Sequence, residues 1–343
     1  MKDLARHRLA AQRLIGSTFT TPVEAMRWML AIQAQDLPGA KWALGLRAPA
    51  TTLADVDAAL AAGTIVRSWP MRGTLHLVPA EDLKWMLALM TPRVLASLGK
   101  RQQQLGLDAK SLAKARTVAE KALAGKPHDR PALFAALDKA KLNAEPHRGY
   151  HMLFWLAQTG VVCMGPADSY VLVEEWITTH RELDRDTSLG EFARRYFLSH
   201  GPATVKDLAR WGKLAMGDAK RGLELAKPNL AHYEGYYFDE ATLAVKAATP
   251  VLALPGFDEL ILGYEDRTCT LPAPYAERIV PGGNGMFIST IVANGVVVGT
   301  WARVQKPKEI VITAKPFAKL PAGAKQAFEA YGRFVGKAIR VVP

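Results

Sequence analysis

Apolar side chains recur with helical spacing after Pro22, at Val23, Met26 and Leu30, and the run also carries Trp28 and Ile32. Thr21 precedes this run and Glu24 follows it by three, a capping-box signature with proline at the first helical position. The spacing therefore predicts a helix over 22–32, with Pro38-Gly39 closing the region. Only Glu24 and Arg27 are charged between Pro22 and Gln35, so this helix is expected to be surrounded by other elements. A second helix is predicted over 53–62, capped by Gly63. Two short runs, 65–69 and 74–78, flank Pro70-Met71-Arg72-Gly73 and predict a β-hairpin, followed by a helix over 80–98.

The same order returns twice. Helices are predicted over 131–141 and 150–159, then runs 161–164 and 170–173 around Gly165-Pro166-Ala167-Asp168. The third pass opens at Ser188-x-x-Glu191, read as a second capping box. Its helix carries Phe192, Tyr196 and Phe197 and breaks at His200-Gly201-Pro202. Thr204-x-x-Asp207 caps the next helix, a basic helix follows over 218–225, and 233–238 is strand-like. Helix, tight turn, helix, turn, helix, strand is the order of a winged helix-turn-helix.

From Thr249 the character changes. Runs 251–254, 286–292, 296–303 and 309–313 read as strands, 321–335 as a helix and 339–342 as a last strand. Asn294-Gly295 between two β-rich runs is the strongest hairpin signal in the chain. The expected fold class is α+β: three tandem winged-helix (helix-turn-helix) units followed by a small β-rich C-terminal domain. The expected boundaries are 1–128, 129–186, 187–247 and 248–343, with 99–130 a helical connector.

Composition narrows the function. The chain has 343 residues, 49% hydrophobic and 22% charged, as in ordinary globular proteins, with length for more than one domain. No apolar run approaches the ~18 residues of a membrane span, and the basic N-terminus lacks the apolar block of a signal peptide. Two cysteines, Cys163 and Cys269, exclude a disulfide scaffold and a cysteine-based zinc cluster, so a cytoplasmic protein is expected. Forty-four Lys and Arg against 32 Asp and Glu give a net charge of +12, a field that attracts polyanions. A generically basic surface is the plainer reading of that number.

The residues that stand out are Gln33 and Gln35, in Ile32-Gln33-Ala34-Gln35-Asp36. On helical spacing Gln33 falls on the stripe of Val23, Met26 and Leu30, and Gln35 on that of Trp28. A buried carboxamide without partners costs ~1–3 kcal/mol, so the pair either caps carbonyls at a helix end or faces a polar pocket. Glutamine does not titrate and is no strong general base. It can hold a water, and its carbonyl oxygen can face a developing positive charge. A reaction served by it needs a leaving group that departs readily.

The chain resembles the AlkZ/YcaQ-like family of winged-helix DNA glycosylases. Gln33-Ala34-Gln35 matches the family's Gln-x-Gln signature. The resemblance continues through Arg67-Ser68-Trp69-Pro70-Met71-Arg72-Gly73-Thr74-Leu75-His76-Leu77, Gly201-Pro202-Ala203-Thr204, Pro255-Gly256-Phe257-Asp258-Glu259, Tyr264-Glu265-Asp266-Arg267 and Pro281-Gly282-Gly283-Asn284-Gly285. It implies three winged helices and a β-domain that hold duplex DNA in a basic channel. It also implies excision of N-alkylated purines and unhooking of interstrand crosslinks, with Gln33 and Gln35 as the catalytic pair. Another branch carries Gln-x-Asp, in which the carboxylate deprotonates water. Here Asp36 stands one position out of that register. No lysine nucleophile and no cofactor are implied, so a monofunctional, monomeric enzyme on double-stranded DNA carrying alkylated bases is expected.

Candidate DNA contacts are Arg67 and Arg72 in the first hairpin and Lys206, Arg210, Lys213, Lys220 and Arg221 in the third unit. Strand alternation sets His76 with Thr74, opposite Leu75 and Leu77, where it either meets the nucleic acid or satisfies a structural hydrogen bond. Asp258 and Arg267 are expected to pair and fix the β-domain. The loop 281–285, with Asn284, is no Walker loop, since Lys-Ser/Thr is missing; a turn or an approach to phosphate would suffice. His147 and His151 have helical spacing but no third ligand, so no metal is expected. The competing function is a non-enzymatic winged-helix DNA binder, either a transcription regulator or a DNA-damage binder.

Overall fold

A computed structural model describes Met1 and residues 3–342. The chain is a mixed α+β protein. It divides into two compact units, one of residues 1–58 and 189–343, the other of residues 59–188.

The first unit is built on a five-stranded sheet. Its order is Ala338–Val342, Glu309–Pro316, Val296–Gln305, Thr290–Ala293 and Leu252–Leu254. Neighbours are antiparallel except Ala338–Val342, which runs parallel to Glu309–Pro316. A parallel neighbour needs a crossover, and the helix Ala324–Val335 supplies it. Asn294-Gly295 forms the expected hairpin: both residues have positive φ, 50° and 80°, and Ala293 pairs with Val296. The strand expected from Met286 begins only at Thr290. Trp301 packs on Phe328 and Tyr331 from the crossover helix and donates its indole N–H to the Leu254 carbonyl, 2.8 Å. The first helix, Leu4–Ala11, adds Leu9 and Ala10 to a core shared with Phe257, Leu260, Val292 and Val297.

Three further helices of this unit lie in order along the chain. The helix Arg185–His200 starts earlier than expected. Asp184 accepts the Thr187 N–H, 2.8 Å, at its entrance, so Ser188 lies inside the helix and is not its cap. Thr204 caps Val205–Gly212 through the full reciprocal box with Asp207, and Met216–Ala226 follows. The expected strand 233–238 is a small hairpin, Ala231–Tyr233 with Tyr236–Phe238.

The second unit pairs Thr74–Pro79 with Ile65–Met71, then Val162–Met164 and Tyr170–Leu172, all antiparallel. Both expected hairpins are there. Leu83–Ser97, Ala109–Leu123, Pro146–Gln158 and the short Val173–Trp176 pack on the sheet, while Gly99–Gln104 packs on Leu83–Ser97 and Arg130–Lys139 on Ala109–Leu123. The stretch read as a connector is core material. Ala109–Leu123 buries Leu112, Ala115, Ala119 and Leu123, every third or fourth residue, against Leu133, Leu137, Met152 and Leu153. Among the described residues no helix is long and apolar enough to cross a membrane.

Candidate active site

The helix that leads to Gln33 stops earlier than its apolar spacing predicts. It covers Pro22–Met29, and Thr21 and Glu24 close its first turn as a complete capping box, with Thr21 N to Glu24 Oε2 at 2.9 Å and Glu24 N to Thr21 Oγ1 at 3.2 Å. Leu30 then takes a positive φ, 63° with ψ −50°, a tight turn in which the Ala31 N–H donates to the Met29 carbonyl at 2.8 Å, with the leucine side chain fully buried. Leucine rarely adopts that conformation, and burial of its side chain offsets the backbone cost. Ile32–Gln33 is extended, and Pro38-Gly39 lies at the start of the next helix, Leu37–Arg47, rather than at the end of the previous one. The stripe that joined Gln33 to Val23, Met26 and Leu30 does not exist in the fold.

The short segment from Ile32 to Asp36 is fastened at both ends. The Gln33 backbone N–H donates to Glu259 Oε1, 3.3 Å. Asp36 accepts two hydrogen bonds from Arg303 Nη2, 2.9 and 3.2 Å. Between these points Gln33 is buried, Ala34 completely so, and Gln35 is exposed. The two carboxamides therefore differ in surroundings: one sits in the protein and one meets solvent. Asp36, the only carboxylate adjoining the pair in sequence, is neutralised by a guanidinium.

Glu259 is fully buried. Its second oxygen accepts the Trp211 indole N–H, 2.9 Å, and His200 Nε2 lies 3.6 Å away. Burial lowers the His200 pKa, and Glu259 opposes that shift. The imidazole stacks on Tyr196, centroids 4.8 Å apart, and its Nδ1 contacts Ser199 Oγ at 2.8 Å. Glu259 is held by its neighbour. Asp258 caps the turn Glu259–Leu262 by accepting the Leu260 N–H, 2.9 Å, and is clasped by Arg47 at 2.9 and 3.0 Å. Arg47 also donates to Gln12, which donates to Tyr264, whose hydroxyl donates to the His200 carbonyl. Arg8 lies over the Tyr264 ring, 3.7 Å from its centroid. Burial raises the Tyr264 pKa despite that cation.

The expected pair of Asp258 and Arg267 is not formed. Asp258 belongs to Arg47, and Arg267 donates to the Ile261 carbonyl, 2.7 Å, and stacks on Phe287. The spacing in sequence was short, but the partner comes from a helix more than two hundred residues earlier. Asn284 closes its own loop, accepting the Met286 N–H at 2.8 Å.

The five candidate DNA contacts of the first unit are where solvent can reach them. Lys206, Arg210, Lys213, Lys220 and Arg221 are all exposed. Arg210 also reaches the carbonyls of Tyr264 and Leu262, 3.2 and 3.4 Å. Lys213 has a left-handed backbone, φ 52°, at the end of its helix.

In the second unit Arg72 and Gly73 form the hairpin tip, both with positive φ. His76 is fully buried beneath it. Its Nε2 contacts Arg72 Nη2 at 2.9 Å and its Nδ1 contacts the Thr74 carbonyl at 2.8 Å. Guanidinium can only donate, so Nε2 accepts and Nδ1 carries the proton. In this position His76 makes the structural hydrogen bond and holds Arg72. Arg67 is partly buried and pairs with Asp168 at 2.9 Å. His147 and His151 share the helix Pro146–Gln158.

Sequence reasoning missed the roles of Glu259, Arg303 and Arg47. Glu259 and Arg47 each carry one signal, a charge set among apolar residues: Glu259 before Leu260-Ile261-Leu262, and Arg47 after Leu44, Gly45 and Leu46. Such a charge is buried only with a partner, which the sequence does not name.

Comparison with known proteins gives the class to which this mixed α+β chain belongs. The model of the DNA glycosylase AlkZ-like family matches residues 26–336, and the chain belongs to that family. It is similar to an interstrand DNA cross-link repair glycosylase of Streptomyces sahachiroi, 24% identical over 331 residues, covering 90% of this chain and 89% of that protein. Its fold is similar to the solved Streptomyces sahachiroi DNA glycosylase AlkZ, with TM-score 0.81, 22% identity, and coverage of 99% and 98% of the two chains.

Proposed function

We propose that this chain is a monofunctional DNA glycosylase that hydrolyses the N-glycosidic bond of cationic N-alkylpurines of the N7-alkylguanine type, and that it opens interstrand crosslinks built on such bases. In this reading residues 1–128, 129–186 and 187–247 are winged-helix units, and 248–343 is a β-rich domain. The enzyme acts as a monomer on double-stranded DNA, without a cofactor.

The observation that carries the reading is the placement of Gln33 and Gln35. They sit on a segment fixed by Glu259 and Arg303, one carboxamide enclosed and one open. Alkylation at N7 makes guanine a cation and a good leaving group. The bond from the sugar C1′ to N9 breaks with its electron pair passing to the base, which leaves an oxocarbenium-like sugar. Gln35 holds a water for attack at C1′, and the enclosed Gln33 turns its carbonyl toward the sugar. The water loses its proton to solvent once the C–O bond forms, so no strong base is required. Asp36 is committed to Arg303 and does not supply one. A well-placed dipole of this kind is commonly worth ~3–4 kcal/mol of barrier.

The interstrand substrate follows from the same chemistry, because a crosslink through two N7 atoms carries the same cationic leaving group. The activity for which the Streptomyces relative is named supports it. The test is incubation of the purified protein with a duplex holding one 7-methylguanine, and in parallel with an N7-crosslinked duplex. Abasic sites revealed by hot alkali are expected from both. Duplex binding without abasic sites on either substrate would leave a DNA-damage binder.

A further inference from the structure

We propose that Glu259 is a positioning residue of this active site: its buried carboxylate sets the backbone that carries Gln33 and Gln35. The inference rests on the glutamine assignment above and extends it to a residue outside the motif.

A carboxylate with no solvent exposure is costly unless several donors meet it. Here one oxygen takes the Gln33 N–H and the other the Trp211 indole N–H, with the His200 ring 3.6 Å off. The donors come from separate elements, one being the catalytic segment itself. The carboxylate is also aimed from below, since Asp258 caps its turn and Arg47 clasps Asp258. Arg47, Asp258, Glu259 and Gln33 thus form one fastened line through the interior. The segment needs such a fastening. Leu30 before it has a positive φ in a tight turn, and Ile32–Gln33 is only two residues of strand. At 3.3 Å the Gln33 contact is longer than a strong charge-assisted bond, so it sets where the segment lies more than it adds binding energy. Misplacing reacting groups by 1 Å costs up to ~10²-fold in rate.

The test compares Glu259→Gln with Trp211→Phe. An amide at position 259 presents one oxygen and one NH2, so it turns a donor toward either Gln33 or Trp211. Phenylalanine at 211 removes one donor and leaves Gln33 its acceptor. We expect single-turnover excision of 7-methylguanine to fall at least tenfold in Glu259→Gln, with duplex affinity unchanged. Trp211→Phe, which takes one donor from Glu259 but leaves the acceptor of Gln33, is expected to slow excision less than Glu259→Gln does. The Gln33 amide proton, followed by NMR, is expected to move upfield in Glu259→Gln only. Excision at the wild-type rate by Glu259→Gln, while Gln33→Ala and Gln35→Ala fail, would overturn the positioning role and leave the glutamine assignment standing. Absence of excision by the wild type itself would remove the assignment on which the inference rests. Should Glu259→Gln not fold, Glu259→Asp carries the test. Slowed excision at unchanged affinity is expected from the shorter reach, and an unchanged rate would contradict the role.

Discussion

The guanidinium of Arg47 and the carboxylate of Asp258 meet as a two-point pair, 2.9 and 3.0 Å, with both side chains closed to water. The pair joins the helix that follows the Gln-x-Gln segment to the turn that begins with Glu259. Removing one partner leaves the other charge buried alone. Asp258→Ala is therefore expected to destabilise the protein by ~3–5 kcal/mol in urea denaturation. The double variant Arg47→Met, Asp258→Leu is expected to cost less than either single change, because no uncompensated charge remains. A double variant that costs the sum of the two would show that the pair is not a unit.

The hairpin tip offers a second coupling. His76 contacts Arg72, so His76→Ala removes one restraint on the guanidinium without deleting it. If Arg72 touches the DNA backbone, His76→Ala and Arg72→Ala each weaken duplex binding several-fold. The double variant is expected to be no weaker than Arg72→Ala alone, since the two losses share one interaction. Additive losses in a fluorescence-anisotropy titration would separate the two residues.

The exposed cations Lys220 and Arg221 are expected to meet phosphates. Every phosphate that a cation no longer neutralises lowers the slope of log K against log salt by ~0.9. Lys220→Ala with Arg221→Ala is thus expected to flatten the salt dependence by nearly two, whereas Lys319→Ala, on an exposed loop of the same unit, leaves it unchanged. An unchanged slope in the double variant would place the duplex elsewhere.

Stability should fall on both sides of neutrality. Burial lowers the His200 pKa, so below its ordinary value of 6.5 the unfolded chain binds a proton that the folded chain refuses, and stability is lost as pH falls. Burial pushes the Cys163 thiol up to about 12 from 9.0, and raises Tyr196 and Tyr264 above 10. Above pH 9 the unfolded chain therefore releases protons that the folded chain keeps, and stability is lost as pH rises. Urea midpoints taken from pH 5 to 11 should trace a dome. His200→Phe should lift its acid side, and Cys163→Ala its alkaline side. Native Cys163 should also resist thiol reagents at pH 8 until the protein unfolds.

Much of the fold was legible because it is local. Thr21 with Glu24, Thr204 with Asp207, and Asn294-Gly295 each fix a turn through neighbours in sequence, and each stands where the spacing put it. The helix expected to reach Ile32 was the informative miss. Its apolar residues fit a helix, but the chain turns at Leu30 because the segment beyond it is pinned by Glu259, 226 residues away, and by Arg303 next to Asp36. The sequence marks Glu259 and Arg47 as charges among apolar residues, but it does not name the distant partners that each one finds. The glutamines were legible as polar residues in an apolar stretch. Their surroundings, one enclosed and one open, were not.

The measurement that bears most directly on the account is excision by the Gln35→Ala variant, set beside the wild type on a duplex with one 7-methylguanine. Single-turnover rates would be read as alkali-labile breaks, and duplex affinity measured on the same samples. The account predicts breaks with the wild type, a loss of at least a hundredfold in the variant, matching ~3 kcal/mol of barrier, and equal affinity. A variant that excises at the wild-type rate would contradict it.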